Sequence, residues 1–215
     1  MNCLLLAGTD PAENLEMERS LFENAGDDPA VFMLWQNAPS VILGRHQIAS
    51  QEIDEDYARE HGISVARRMT GGGAVYHDLG NLNYTVIMNR EDCACRDGEN
   101  LYHFFCRPML EVLASYGVRA SYNGRNDLEV DGRKFSGNAQ FERDGRILHH
   151  GTLLYHTDLG VMDRVLTPDP EKFTGKGIRS VRSRVVNLKE LLPERVTLEV
   201  LKAALWEAYR FLDAR

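Results

Sequence analysis

Several features that would place the protein in a specialised class are scarce or missing. The 215 residues include four cysteines (Cys3, Cys93, Cys95 and Cys106), and the amino terminus has a short apolar patch without the basic segment of a secretory signal. We therefore expect reduced thiols in a cytoplasmic protein rather than a disulfide framework. No apolar run approaches the roughly 20 residues that span a bilayer, which excludes a transmembrane protein.

An excess of basic charge is also missing. Lys and Arg number 25 against 32 Asp and Glu, for a formal net charge of −7. This balance argues against general nucleic-acid binding, although basic stretches at 67–68 and 176–184 could each hold a small anion. Hydrophobic residues at 43% and charged residues at 27% are typical of an ordinary globular protein, and the length suits one large domain.

Three consecutive glycines, Gly71 to Gly73, follow the pair Arg67 and Arg68 in the segment RRMTGGGAVYHDLGNLNYT. Because glycine loses more backbone freedom on folding than any other residue, such a run indicates a positive φ or a backbone that lies against a ligand. Glycine amides flanked by arginines can bind phosphate, but a tight strand connection explains the same residues equally well. The run fits neither a Walker loop nor the dinucleotide fingerprint, whose sixth-position glycine is Tyr76 here.

Local patterns, which combine antiparallel hairpins with helices on the outside, predict an α+β protein. Asp10-Pro11 should begin a helix, Ser50 should cap another that ends at 61–62, and Pro108 should kink or restart a helix over 101–116. Two Asp-Gly pairs, at 131–132 and 144–145, predict hairpin turns in a meander over 127–155. Strands are expected at 31–35, 40–43, 63–68 and 82–88, and Thr197 should cap the last helix.

A cysteine-based metal site is a weak alternative for the acidic segment 91–99. Cys93-Ala-Cys95, with His103 and Cys106 beyond it, supplies soft ligands without a recognised zinc spacing. A loop leading into a helix is the favoured interpretation.

Four segments occur in order along the chain: RRMTGGGAVYHDLGN, NDLEVDGRKFSGNAQ, HHGTLLYHTDL and KGIRSVRSRVVNL. Together they resemble the successive motifs of the lipoate-protein ligase A family, in the superfamily of biotin ligases and octanoyl transferases. The resemblance covers residues 15–193. It implies a biotin/lipoate ligase-like catalytic domain, with a mixed, largely antiparallel β-sheet flanked by helices. The implied reaction converts lipoate and MgATP to lipoyl-AMP and then transfers the lipoyl group to a lysine of an acceptor protein.

The resemblance also assigns roles to individual residues. Lys134 matches the catalytic lysine, which contacts both substrates, and Asp127 could hold Mg²⁺. Residues expected to contact ATP or the adenylate are Arg68, Gly73, Ala74, Val75, Tyr76, Asn126, Asp127 and Lys134. Those expected at the lipoate are Lys134, Gly71, Gly72, His77 and His150, with Trp35 and Leu15 as candidates for the channel of its dithiolane ring. From residue type alone, a surface lysine, capping residues at a hairpin edge and structural histidines would explain the same positions.

The implied partners are proteins rather than nucleic acids or membranes. The acceptor would be a lipoyl domain of a dehydrogenase-complex E2 subunit or the glycine-cleavage H protein. Residues 1–215 would form a single catalytic domain, a short form without the C-terminal accessory domain of longer members, so a separate accessory-domain chain is a further candidate partner. The alternatives are an ATP-independent octanoyl or lipoyl transferase, which the absence of a motif cysteine disfavours, and a non-catalytic lipoate- or adenylate-binding subunit.

Overall fold

The computed structural model describes residues 1–24, 30–95, 99–166 and 184–212. Their strands are β1 (Asn2–Leu5), β2 (Ala30–Trp35), β3 (Ser40–Leu43), β4 (Ser64–Arg67), β5 (Val75–His77), β6 (Asn81–Asn89), β7 (Ser121–Tyr122), β8 (Asp127–Val130), β9 (Arg133–Arg143) and β10 (Arg146–Leu154). Their α-helices are α1 (Pro11–Glu23), α2 (Ala49–Glu52), α3 (Glu55–Glu60), α4 (Leu101–Ser115), α5 (Leu159–Val165) and α6 (Leu198–Tyr209). Most of the basic stretch at 176–184 lies outside the described residues.

The strands form two sheets. The larger has seven strands in the order β1-β2-β6-β10-β9-β8-β7, and only its β1–β2 pair is parallel among the pairs described. The smaller has the order β4-β3-β5, with β3 parallel to β4 and antiparallel to β5. The expected mixed, largely antiparallel sheet flanked by helices is confirmed, but β2 and β3, which follow one another in the chain, belong to different sheets.

Turn and cap chemistry explains the element boundaries. Asp131 and Asp144 have φ angles of 51° and 53°, and each is followed by a glycine with positive φ, so both Asp-Gly pairs make the type I′ turns expected of hairpins. Asp10 accepts hydrogen bonds from two amides of the first turn of α1, and Thr197 caps α6. These predictions are confirmed.

The helix predicted from Ser50 to His61 is wrong. It is two short helices, because Ile53 takes an extended conformation between them and is buried in the core beside β3. Asp54 then caps α3 by accepting a hydrogen bond from the amide of Tyr57. Ser50 lies inside α2.

Pro108 does not mark the start of a new helix, which was one of the two predictions for it. It lies inside α4, which runs from Leu101 to Ser115 as one helix, and it is buried with the apolar face of that helix. The main core is formed where α4 and α6 pack on the large sheet, and it includes Phe32, Tyr84 and Tyr209. Across the described ranges, no helix combines the length and the apolar character needed to cross a membrane.

Candidate active site

A cavity of about 560 Å³ is lined by residues of both sheets. It brings together nearly every residue singled out from the sequence. The lining residues are Leu15, Trp35, Ile42, Arg68, Gly71, Gly72, Gly73, Ala74, Val75, His77, Asn83, Tyr102, Asn123, Arg125, Asn126, Asp127, Glu129, Lys134, Gly137, Asn138, Ala139, Gln140, His150, Gly151 and Thr152. The exception is Tyr76, which is on β5 between two lining residues.

Tyr76 is directed away from the cavity because successive side chains of a strand point to opposite faces. Its neighbours Val75 and His77 line the cavity, whereas the Tyr76 ring is 4% exposed and packs in the core beside β3. Burial raises the pKa of its hydroxyl to about 12. Any contact of Tyr76 with a ligand in this cavity would therefore use its backbone.

Arg68 supports the glycine loop from beneath. Its guanidinium is buried and donates hydrogen bonds to the carbonyl oxygens of Gly71 and Gly73, both at 2.8 Å, to Ile42 O at 3.0 Å and to Thr70 Oγ1 at 2.9 Å. Burial lowers the pKa of this arginine to about 10, so it remains charged at neutral pH. Most of its N–H groups donate hydrogen bonds to the glycine loop, so its positive charge is held next to that loop.

The glycine run forms a tight connection, and its geometry is compatible with anion binding. Gly72 has a φ of +93°, which favours glycine, and a Cβ on the facing Gly44 would lie 2.1 Å from the Gly72 carbonyl oxygen. Among the residues that the structure describes, the amides of Gly71, Gly72 and Gly73 have no hydrogen-bond acceptor. The loop is thus a tight connection whose amide donors are left for an anion.

Lys134 lies on β9 among the polar residues that line the cavity. Its backbone is held on both sides, because its amide donates to Arg184 O at 2.7 Å and its carbonyl accepts from the amide of Val186 at 2.9 Å. Its Nζ lies 2.8 Å from Asp127 Oδ1, and the two side chains are 25% and 13% exposed. A fixed, partly shielded ammonium group therefore faces the cavity.

The segment before β8 is held by two asparagines. The Oδ1 atom of Asn123 accepts hydrogen bonds from the amides of Arg125, Asn126 and Asp127 at 2.9 to 3.1 Å. Asn138, on the neighbouring strand β9, donates to the Asn126 carbonyl oxygen from both its amide and its Nδ2, at 2.8 and 3.0 Å. The position of Asp127 next to Lys134 therefore depends on the turn that Asn123 stabilises and on the pairing of β8 with β9.

A buried polar network closes the opposite end of the cavity. Trp35 Nε1 donates to Thr85 Oγ1 at 3.0 Å, and that hydroxyl donates to Glu18 Oε1 at 2.6 Å. The same carboxylate oxygen lies 2.8 Å from His150 Nδ1, and His150 Nε2 lies 2.8 Å from Thr70 Oγ1. The carboxylate fixes the Nδ1–H tautomer of His150 and holds the ring against the cavity wall.

Glu18 was not identified from the sequence. It is 1% exposed, and it shares the buried stripe of α1 with Asn14 and Phe22 at helical spacing. A carboxylate at a core position of an amphipathic helix is rarely left unpaired. The acidic residue in the buried stripe is therefore the signal from which Glu18 could have been identified.

His77 is a buried neutral imidazole. Its Nδ1 accepts a hydrogen bond from Asn37 Nδ2 at 3.1 Å, which places the proton on Nε2, and Nε2 has no partner in the described parts of the chain. Burial lowers its pKa to about 3, and the positive charge of Arg68 contributes. His77 therefore offers the cavity a neutral N–H donor.

We expect His77 to make the protein less stable in acid. Its folded pKa of about 3 lies below its ordinary value of 6.5, so the unfolded chain takes up a proton between these values while the folded chain does not. The free energy of unfolding should therefore fall as pH falls below 6.5, by about 2 kcal/mol for this histidine between pH 7 and pH 5. Chemical unfolding of the wild type and of His77→Gln at the two pH values measures the difference.

The exposed His156 provides the matched control, because its replacement by glutamine should leave the pH dependence unchanged. An identical loss of stability between pH 7 and pH 5 in His77→Gln and the wild type would show that His77 is not held neutral by the fold.

The cysteines are placed poorly for nucleophilic chemistry. None of the four lines the cavity, and Cys106 is fully buried in the main core. Burial raises the pKa of Cys93 and of Cys106 to about 12 and also raises that of Cys95, so these thiols stay protonated. This arrangement does not favour a covalent thioester intermediate.

Within the described ranges, no three His, Cys, Asp or Glu side chains are grouped as a metal site. The weak cysteine-based metal alternative therefore has no support there. A nucleotide-bound Mg²⁺ is a different case, since it usually takes one or two protein carboxylates together with phosphate oxygens. Asp127 and Glu129 are the carboxylates that line the cavity, and both fit that requirement.

Comparison with known proteins identifies a family for this chain. The family model "Lipoyl protein ligase A/B catalytic domain" matches residues 10–210. The lipoate-protein ligase LplJ of Bacillus subtilis is 41% identical over 198 residues, which are 91% of this chain and 58% of the relative. The chain thus spans less than two thirds of the length of that relative.

Two solved structures are similar throughout the chain. One is a bi-partite lipoate protein ligase from Thermoplasma acidophilum, studied with its E2 lipoyl domain; it has a TM-score of 0.82 and 27% identity, covering 98% of this chain and 82% of that one. The other is lipoate-protein ligase A bound with ATP, with a TM-score of 0.78 and 27% identity, covering 99% of this chain and 85% of that one. Both support the expected catalytic-domain fold.

Proposed function

Because the chain belongs to the lipoyl protein ligase A/B catalytic-domain family, we propose that it is an ATP-dependent lipoate-protein ligase. It would activate lipoate as lipoyl-AMP and transfer the lipoyl group to a specific lysine of a lipoyl-domain protein. The observation that carries this proposal is the position of the Lys134 ammonium, in one cavity with the apolar residues Leu15, Trp35 and Ile42 and with three glycine amides that have no acceptor among the described residues.

The activation step requires two anions to meet. A carboxylate oxygen of lipoate attacks the α-phosphorus of ATP, the new oxygen–phosphorus bond forms, and the bond to the departing pyrophosphate breaks. A fixed cation between the carboxylate and the α-phosphate stabilises their approach and the charge that develops in the transition state. Lys134 supplies that cation, with Asp127 as the partner that keeps its ammonium in place.

The nucleotide would bind on the glycine-loop side of Lys134. The amides of Gly71 to Gly73 suit phosphate oxygens, and the charge of Arg68 below the loop adds to their field. Ala74 and Val75 continue this wall, and Asn126 and Asp127 line the cavity beside Lys134. When Mg²⁺ is bound with ATP, Asp127 and Glu129 would hold it, and the ion would neutralise phosphate charge.

The acyl chain would extend toward His77 and His150. Trp35, Leu15 and Ile42 give this end apolar walls, which suit a carbon chain and a dithiolane ring. In the second half-reaction, the neutral ε-amine of the acceptor lysine attacks the acyl carbon, an amide forms, AMP leaves and the amine loses a proton.

The acceptor and the accessory function are part of the same proposal. The Thermoplasma relative is bi-partite and was studied with an E2 lipoyl domain. By analogy we propose that residues 1–215 act as the catalytic domain, that a lipoyl domain of an E2 subunit or of an H protein is the acceptor, and that an accessory-domain chain supports transfer.

Lipoate-dependent exchange of labelled pyrophosphate into ATP tests the activation step directly. We expect exchange that requires both lipoate and Mg²⁺. Folded protein that gives no exchange, even when a candidate accessory chain is added, would refute the activation proposal.

Mass spectrometry of a lipoyl-domain acceptor, incubated with enzyme, ATP and lipoate, tests the transfer step. We expect one lipoyl adduct on the target lysine. Omitting ATP and supplying octanoyl carrier protein as sole donor is the matched control: labelling under those conditions would identify an ATP-independent transferase instead, and adenylate formation without labelling would identify a binding subunit.

A further inference from the structure

A hydrogen-bonded row of side chains, buried except for the half-buried Gln140, runs through the large sheet beside the cavity. It begins at Gln140, passes through His149 and Tyr84 to Asn138, and ends at the carbonyl oxygen of Asn126. Tyr84 and His149 are fully buried and do not line the cavity, so they can act only through their neighbours. The row connects the centre of the large sheet to the segment that carries Asp127.

The strand register explains why these side chains meet. Gly151 on β10 pairs with Tyr84 on β6 and with Asn138 on β9, so the three positions lie side by side across adjacent strands. A Cβ on Gly151 would lie 2.1 Å from Asn138 Oδ1 and 2.6 Å from Tyr84 Cε1. The missing side chain at Gly151 lets the tyrosine reach over β10 to the asparagine.

All the hydrogen bonds of the row point the same way. The Tyr84 hydroxyl donates its one proton to Asn138 Oδ1 at 2.6 Å, so its oxygen must accept from His149 Nε2, 3.0 Å away. His149 Nδ1 then accepts from Gln140 Nε2 at 2.9 Å. Asn138, polarised by the tyrosine, donates from Nδ2 to the Asn126 carbonyl oxygen at 3.0 Å. Aligned bonds of this kind strengthen one another in a buried environment.

The hydrogen bonds of the row can point this way only if His149 is neutral. Burial lowers the pKa of its imidazole well below the ordinary value, so Nδ1 stays free to accept at neutral pH. His149, Tyr84 and Asn138 each accept one hydrogen bond and donate one within the row. Cys106 Sγ lies farther away, 3.6 Å from the Tyr84 hydroxyl oxygen and 3.8 Å from His149 Nε2.

We propose that Tyr84 and His149 are positioning residues for Lys134, acting through Asn138, Asn126 and Asp127. The proposal rests on the ligase function proposed above. Asn138 holds the carbonyl of Asn126, the next residue is Asp127, and Asp127 Oδ1 lies 2.8 Å from Lys134 Nζ. Removing the tyrosine hydroxyl leaves Asn138 Oδ1 without its donor, and the asparagine loses the constraint that sets its direction.

Tyr84→Phe tests this proposal with little change in volume. We expect the rate of lipoyl-adenylate formation at saturating ATP and lipoate to fall about tenfold, because small displacements of a catalytic group are costly. The KM for lipoate should stay within about twofold of the wild type, since the acyl end of the cavity is untouched.

Tyr155→Phe is the matched control. Tyr155 is also a buried core tyrosine that donates to a carbonyl oxygen, that of Val196 at 3.0 Å, but it has no link to Asn126. It should lose comparable thermal stability and keep its activation rate. Equal losses of rate in the two variants, or a normal rate in Tyr84→Phe, would overturn the proposal.

A double-mutant cycle separates positioning from a general structural role. In a Lys134→Ala background, Tyr84→Phe should change the residual rate less than twofold, because the group that it positions is gone. The same tenfold loss in both backgrounds would overturn the proposal. If Tyr84→Phe is unfolded, His149→Phe is measured in its place, since it keeps a ring beside Phe105 while removing the donor to the tyrosine. Wild-type protein without lipoate-dependent exchange would instead refute the proposed function itself.

Discussion

Lys134→Ala is expected to slow lipoate-dependent pyrophosphate exchange by about a hundredfold or more. The loss follows from the charge balance of activation, because two anions must approach without a cation between them. The same substitution leaves the Asp127 carboxylate facing the substrates without its ammonium partner, which adds repulsion. Affinity for lipoate should fall less than the rate if the lysine acts mainly in the transition state.

Single-turnover formation of lipoyl-AMP measures this effect. Lys202→Ala is the control, since Lys202 also lies 2.8 Å from a carboxylate, that of Glu199, and its side chain is 15% exposed. It belongs to α6, away from the cavity. A near-normal rate in Lys134→Ala would show that the site has been misplaced.

Gly137→Ala is expected to reduce the activation rate about thirtyfold while the protein stays folded. A Cβ at this position would lie 2.8 Å from Lys134 Nζ and 3.0 Å from its Cε. These atoms end a flexible side chain, so the lysine would move and the strand would not. Glycine is needed here for the space it leaves to the ammonium, and its φ is not among the positive values.

Thermal unfolding and single-turnover kinetics of Gly137→Ala should therefore disagree, with a small change in Tm and a large loss of rate. Gly8→Ala is the control, because the nearest atom to its Cβ would be Asn14 Oδ1 at an ordinary 3.9 Å. Unchanged kinetics in Gly137→Ala would contradict the role given to the Lys134 ammonium position.

Much of the fold could be predicted because its signals are local. Asp131-Gly132 and Asp144-Gly145 specify their turns through the φ angles that two successive residues can adopt. Helix caps at Asp10 are equally local, since a side-chain oxygen reaches amides two or three residues away. The break between α2 and α3 could not be foreseen in this way, because it depends on the burial of Ile53 among residues distant in the chain.

The candidate site was found from the sequence where its chemistry lies in contiguous motifs. The glycine run and the segment around Lys134 were identified in this way, and the structure brings both to one cavity. Glu18 was missed because its partner His150 is 132 residues away. The position of Glu18 in the buried stripe of α1 could have marked it, but α1 contains four glutamates and no local pattern identifies a partner so distant in the chain.

Residue types and spacing along the chain therefore predicted the turns, most element boundaries and the glycine loop, and the resemblance of the motifs pointed to Lys134. The tertiary structure determined which neighbours the individual side chains contact. Arg68 donates most of its hydrogen bonds to the glycine loop, and the ring of Tyr76 packs in the core. Tyr84 reaches Asn138 only because Gly151, which lies between them, has no side chain. The physical reason is that contacts between segments distant in the chain fix the register of the sheet. The register then determines which side chains meet as hydrogen-bond partners, which are buried and where space is left between them.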